Sequence, residues 1–318
     1  MNKQDYKQAF GKIEPDALFG QRLAQKLAVR TQPKSYGPNR KVMLSIAVSL
    51  TVALFAGIFT FSDLGGGYSP VSMVPPAPTA ADGSVLIPKI ELPKKTNAMM
   101  DMIGLIVYQG RVYTQTSTHI PPEAAKAVLG EKIGRTKGNI DEWSSQKEYA
   151  KELASSIGKQ DVYTVKGYDS DFRLMTYQVA DGQIWAEFYE CLNGIQIAKG
   201  ADVLGKLKII GNVQSASWEN FESWNGDLKQ FRKLPLSAEV QKFLEALNAA
   251  KPVEWETLYN QGIYDQGGQS RKFILFKLQD QSEVRLELHQ GGYVRYGHAQ
   301  VFFKLDDAAF AAMWGSLK

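Results

Sequence analysis

Residues 271–305 read RKFILFKLQDQSEVRLELHQGGYVRYGHAQVFFKL. Runs rich in β-branched, aromatic and aliphatic residues occupy 271–278, 283–288, 293–296 and 300–305, parted by Gln279-Asp280-Gln281, by Gln290-Gly291-Gly292 and by a short polar step. Apolar runs joined by so few turn-forming residues are hairpin signals, so consecutive strands here run antiparallel. Apolar and charged residues alternate strictly in Arg285-Leu286-Glu287-Leu288. That alternation predicts one covered and one wet sheet face.

Helices flank this block. Asp306 is placed to cap a terminal helix reaching 317, with Phe310 and Trp314 four residues apart on its inner face. Upstream, Ser237 caps a helix to 249 that carries Val240, Phe243, Leu244 and Leu247 on one face, and Pro252 stops it. A meander is predicted at 161–166, 173–179 and 183–190, with turns at Gly167-Tyr168-Asp169 and Ala180-Asp181-Gly182. Strands at 102–108 and 111–116 turn at Gln109-Gly110, and Ile120-Pro121-Pro122-Glu123 opens a helix that Gly130 ends. Residues 143–157 read as a helix capped by Ser144 or Ser145, 200–205 as a loop and 207–213 as a strand, while 218–231 fits either state. The economical fold is α+β, a mainly antiparallel sheet with flanking helices. It divides into two subdomains near 96–215 and 216–318, without a residue-level repeat between them.

Residues 42–61 hold no charge over twenty positions, follow Arg40-Lys41 and end at Ser62-Asp63. A helix of that length spans about 30 Å, the thickness of a bilayer's hydrocarbon core. One transmembrane helix is expected there. Residues 1–41 carry nine basic and three acidic side chains, a balance of +6, and the first basic residue after the run is Lys89. The positive-inside rule puts the N-terminus in the cytoplasm and the C-terminal part outside the plasma membrane. The whole chain's +4 then leaves the outer part at −2, so nucleic-acid binding is not expected. A cleaved signal peptide fits less well: the run is long, some forty residues precede it, and Phe59-Thr60-Phe61 offers no small-x-small step.

The segment 1–41 is basic and amphipathic. Pro15 and Asp16 suit a helix start, and Leu18, Phe19, Leu23 and Leu27 recur at helical spacing, in a segment that lies on the inner leaflet, docks a cytoplasmic regulatory protein or only sets the topology. Residues 62–95, with Gly65-Gly66-Gly67 and Pro75-Pro76, read as a Pro/Gly-rich tether holding the outer domain, 96–318, off the lipid.

Catalytic chemistry is not predicted. Cys191 is the single cysteine and His119, His289 and His298 the only histidines, so neither a disulfide nor a zinc site is expected, nor any other cofactor or metal. His289 lies at a strand end and His298 after the next short strand, where the two either face each other across a hairpin or, the preferred reading, are exposed loop histidines. Asp169 with Asp171, and Asp306 with Asp307, stand where turns and helix starts call for Asp. Two aromatic clusters are the candidate ligand surface: Tyr168, Asp169, Phe172 and Arg173 in one inter-strand connection, and Trp218 and Trp224 in the ambiguous segment. Their alternative role is to seal the edge of the core.

The layout of short basic helix, single span, tether and cysteine-poor outer domain resembles single-pass anti-sigma-type envelope proteins of Gram-positive bacilli. Gly130-Glu131-Lys132-Ile133-Gly134, and Val165-Lys166-Gly167-Tyr168-Asp169 followed by Phe172-Arg173-Leu174, are similar to segments of uncharacterised extracytoplasmic domains of that group. The His-x-x-x-Cys-x-x-Cys zinc motif of many such cytoplasmic domains is absent from residues 1–41. The resemblance implies a non-enzymatic binding or sensing domain in the cell envelope that signals to a cytoplasmic regulator. The alternative is a membrane-tethered, wall-facing hydrolase or inhibitor.

Overall fold

Short runs with β-forming side chains and tight turns at glycine or aspartate build most of this molecule. The computed structural model describes residues 82–91, 103–141 and 144–318. In chain order they form β1 (Val85–Ile87), β2 (Leu105–Tyr108), β3 (Arg111–Gln115), α1 (Pro122–Val128), β4 (Leu129–Arg135), β5 (Asp161–Val165), β6 (Arg173–Ala180), β7 (Gln183–Glu190) and β8 (Ile195–Ile197). There follow β9 (Val213–Asn220), α2 (Phe221–Asn225), β10 (Arg232–Leu234), α3 (Ala238–Ala249), β11 (Lys251–Glu254), α4 (Trp255–Asn260), β12 (Arg271–Leu278), β13 (Glu283–His289), β14 (Tyr293–Tyr296), β15 (Val301–Lys304) and α5 (Asp307–Ser316). The result is mixed α+β with mostly antiparallel sheet.

The C-terminal hairpins form as their turn chemistry requires. Gln281, Gly291 and Gly292 take positive φ, so β12, β13 and β14 fold back on one another in register, Ile274 opposite Leu286 and Leu288 opposite Val294. A seven-stranded sheet results, ordered β10-β9-β12-β13-β14-β15-β11. Ile274, Phe276, Val284, Leu286, Leu288, Val294 and Phe303 line its core face, against which α3 packs Val240, Phe243, Leu244 and Leu247, and α5 packs Phe310 and Met313. The Asp306 carboxylate accepts from the amides of Ala308 and Ala309, the cap expected of it. A six-stranded sheet, β2-β3-β7-β6-β5-β4, comes from residues 105–190. Its β6-β7 hairpin turns through Asp181 and Gly182, both at positive φ.

Several expectations are corrected. Part of the stretch read as tether is ordered sheet: β1 pairs antiparallel with β8, and Val85 and Ile87 are buried in the main core. All three residues of Val85-Leu86-Ile87 are apolar and only their burial alternates, with Leu86 exposed, so three residues among prolines carried no alternation to read. Residues 144–157 are not a helix; only Gln146–Ala150 makes a 3-10 turn. Leu153 takes positive φ, and residues 153–156 instead bond along β2 through Leu153 N–H to Val107 O and Val107 N–H to Ala154 O. The stretch 207–213 is turns, with Leu207 and Ile209 buried as core plugs, and the strand begins at Val213. Gly130 lies within β4 rather than ending α1. A Cβ there would fall 2.2 Å from Thr164 Oγ1, so close approach of β5 explains the glycine.

The segment 1–41, the run 42–61 and the tether before residue 82 lie outside the described residues. Among the described residues no helix is long and apolar enough to cross a membrane.

Candidate functional site

Arg173 opens β6 and Glu190 closes β7, opposite one another in the hairpin register, and both side chains are fully buried. Arg173 Nε and Nη2 donate to Glu190 Oε1 at 3.0 and 2.5 Å. The second carboxylate oxygen accepts from the Tyr296 hydroxyl at 2.8 Å, which joins β14 of the other sheet to this pair. Thr116 and Thr118 hydroxyls lie 2.5 and 2.7 Å from that same phenol oxygen. A phenol has one proton and two lone pairs, so with its proton given to Glu190 both threonines donate to it. Burial pushes the Tyr296 hydroxyl far above its ordinary range, with the Glu190 charge adding to the effect.

Arg173 Nη1 has no hydrogen-bond partner. Its compensation is aromatic: the guanidinium carbon lies 4.2 Å from the Tyr168 ring centroid, 4.9 Å from Phe188 and 5.2 Å from Phe172. A desolvated guanidinium held over ring faces gains about 2 kcal/mol from such contacts. Tyr168 is tied in turn to the second sheet, donating from its hydroxyl to Asp280 Oδ2 at 2.9 Å, and Lys208 Nζ donates to the Gly167 carbonyl. The residues singled out at 168–173 therefore form a joint rather than an open platform. Phe172 and Arg173 are buried, Tyr168 is half-buried and Asp169 alone is exposed. Asp169 Oδ1 accepts from Asp171 N–H, the turn role expected of it.

The histidines are placed otherwise than the sequence reading had them. His298 is half-buried beside this joint, its Nε2 lying 3.1 Å from Thr114 Oγ1. Burial holds its imidazole pKa below the usual value, against the opposing pull of Glu190. His289 is 1% exposed on the opposite face of the second sheet, with Nε2 2.9 Å from Glu287 Oε1. Arg271 Nη1 and Arg295 Nη1 stand 3.8 Å from the same carboxylate. Burial pushes the Glu287 carboxyl up, but His289, Arg295 and Arg271 outweigh it and hold the pKa below the ordinary range. Tyr264 caps the group: it accepts from Arg295 Nη1 at 2.5 Å and from Trp255 Nε1 at 3.2 Å, and packs edge-on to His289. Glu287 is thus covered by the chain that follows α4, where strict alternation had predicted a wet face.

The tryptophans do not share one surface. Trp218 is buried in the main core, with Arg232 and Lys272 over its ring. Trp224 is half-buried on the other face, stacked on Phe273 at 4.4 Å. Each takes the sealing role. Cys191 is buried and free. Among the described residues no group of three or more His, Cys, Asp or Glu is arranged to hold a metal. Leu18, Phe19, Leu23 and Leu27 lie outside the described residues.

The Arg173–Glu190–Tyr296 joint escaped sequence reasoning because its members are 17 and 106 positions apart and only the sheet pairing unites them. One signal was present: a charged residue at the head of an apolar strand, Arg173-Leu174-Met175, facing a charged one at the end of its hairpin mate. Comparison with protein-family models, with curated proteins and with solved structures finds no match for this chain.

Proposed function

We propose that the chain is a single-pass plasma-membrane protein, N-terminus in the cytoplasm, that displays a non-enzymatic binding or sensing domain in the cell envelope and signals through residues 1–41 to a cytoplasmic regulator. The observation that carries the reading is the uncharged run 42–61, with nine basic residues before it and none for the next 27 positions, 62–88. In this reading the β-rich part binds outside. The stripe Leu18, Phe19, Leu23, Leu27 meets the partner inside.

Alkaline extraction of membranes tests the anchorage. The chain is expected in the pellet, and Leu50→Arg with Leu54→Arg is expected to release it, since charge at a span's centre costs about 2.5–3.5 kcal/mol per residue. A wild-type chain in the supernatant contradicts the reading. A pull-down with the full chain, compared with Leu18→Glu, Leu23→Glu, tests the signalling part: one cytoplasmic protein recovered only with wild type supports it. Recovery of nothing, or equal recovery by both, overturns it.

A further inference from the structure

A groove of about 340 Å³ opens on the six-stranded sheet, lined among the described residues by Arg135, Asp161, Tyr163, Tyr177, Gln178 and Val179. Its size is at the small end of ligand pockets. Tyr163 on β5 and Tyr177 on β6 project from the same sheet face, ring centroids 6.4 Å apart and planes perpendicular, so one ring presents a face where the other presents an edge. Around them stand polar groups without protein partners. Asp161 uses Oδ2 for Lys132 Nζ at 2.8 Å, while its Oδ1 is buried, lacks a hydrogen bond and has Arg135 Nε only at 3.9 Å. Neither tyrosine hydroxyl has a hydrogen-bond partner among the described residues, while Gln178, opposite Trp185 on β7, turns its amide to the other face of the sheet. Val179, 58% exposed, supplies an apolar lip.

We propose that this groove binds a pyranose unit of a glycan. A sugar ring offers a patch of C–H bonds on each face and hydroxyls around its rim. The tyrosine rings match the first. The second is met by the Asp161 carboxylate, which accepts, and by the tyrosine hydroxyls and the Arg135 guanidinium, which donate. A lipid finds too few apolar walls here. A peptide adding as a strand meets β4, the sheet's edge, which two register shifts break at Leu129/Lys132 and Lys132/Gly134.

The proposal rests on the reading of this part as a binding domain and names its ligand class. Its test is saturation-transfer NMR on the full chain, solubilised in a phosphocholine detergent that contains no sugar, with chitotetraose and cellotetraose as probes. Transfer to the ring protons of at least one probe is expected. Tyr177→Ala should weaken that probe at least tenfold, and the exposed Arg135→Gln, which does not threaten folding, about threefold. Trp185→Ala, on the opposite face of the β6-β7 hairpin and 56% exposed, should bind as wild type. No transfer to either probe, or transfer unchanged in Arg135→Gln and Tyr177→Ala, overturns the proposal. Anchorage is read by extraction and not by sugar binding, so each reading fails on its own assay.

Discussion

Arg173 lies fully buried at the contact between the two sheets. Its charge is neutralised only by Glu190, whose other oxygen is taken by Tyr296. A buried pair of this kind is weakly stabilising as a pair but costly to break, because the survivor is left charged and dry. Arg173→Met and Glu190→Gln are therefore each expected to destabilise by about 3–5 kcal/mol, and the double change by clearly less than their sum. Urea unfolding of the four chains checks this; simple additivity would show the pair to be uncoupled. Acid is expected to loosen the structure in two steps. The folded pKa of His298 lies below 6.5, so the unfolded chain binds the extra proton and stability falls as pH drops through 6.5, levelling below the folded value. Glu287 does the same from 4.5 downward. His298→Gln should flatten the fall in urea midpoint between pH 7 and 5; an unchanged slope would contradict the assignment.

Among elements, glycine placement decides which pieces can meet. Gly200 donates its amide to Ala250 O at 2.9 Å, and a Cβ there would lie 1.9 Å from the Leu247 carbonyl oxygen at the end of α3. Backbone cannot retreat as a side-chain tip can, so Gly200→Ala is expected to cost about 1–3 kcal/mol or more, read as a lowered urea midpoint. A neutral effect would mean that α3 is free to shift. The same contrast explains what the sequence disclosed. Hairpins at Gln109-Gly110, Asp181-Gly182 and Gly291-Gly292, the start of α3 after Ser237 and the Asp306 cap of α5 were legible because their signals are local, although the Ser237 hydroxyl makes no cap hydrogen bond. The stretch 144–157 was misread because its backbone bonds go to β2, some fifty residues earlier, and no helical periodicity in the segment itself reports that.

For the whole molecule, the α+β class and mostly antiparallel sheets followed from alternation and turn spacing. The joint between the sheets did not: Tyr168 with Asp280 and Glu190 with Tyr296 pair residues over a hundred positions apart. The candidate ligand surface was legible only as composition. Aromatic and charged residues cluster at 168–173, but which of them stay wet is decided by the second sheet closing over Arg173. Membrane display is a claim of the same scale, and its topology can be read directly. Ser35→Cys and Ser69→Cys, each placed singly in a chain with Cys191→Ala, flank the run 42–61, and a membrane-impermeant maleimide is applied to intact cells. Labelling at position 69 and none at 35 until the cells are lysed is the predicted result. Labelling at both positions, or at neither before lysis, would contradict a single span with the N-terminus inside.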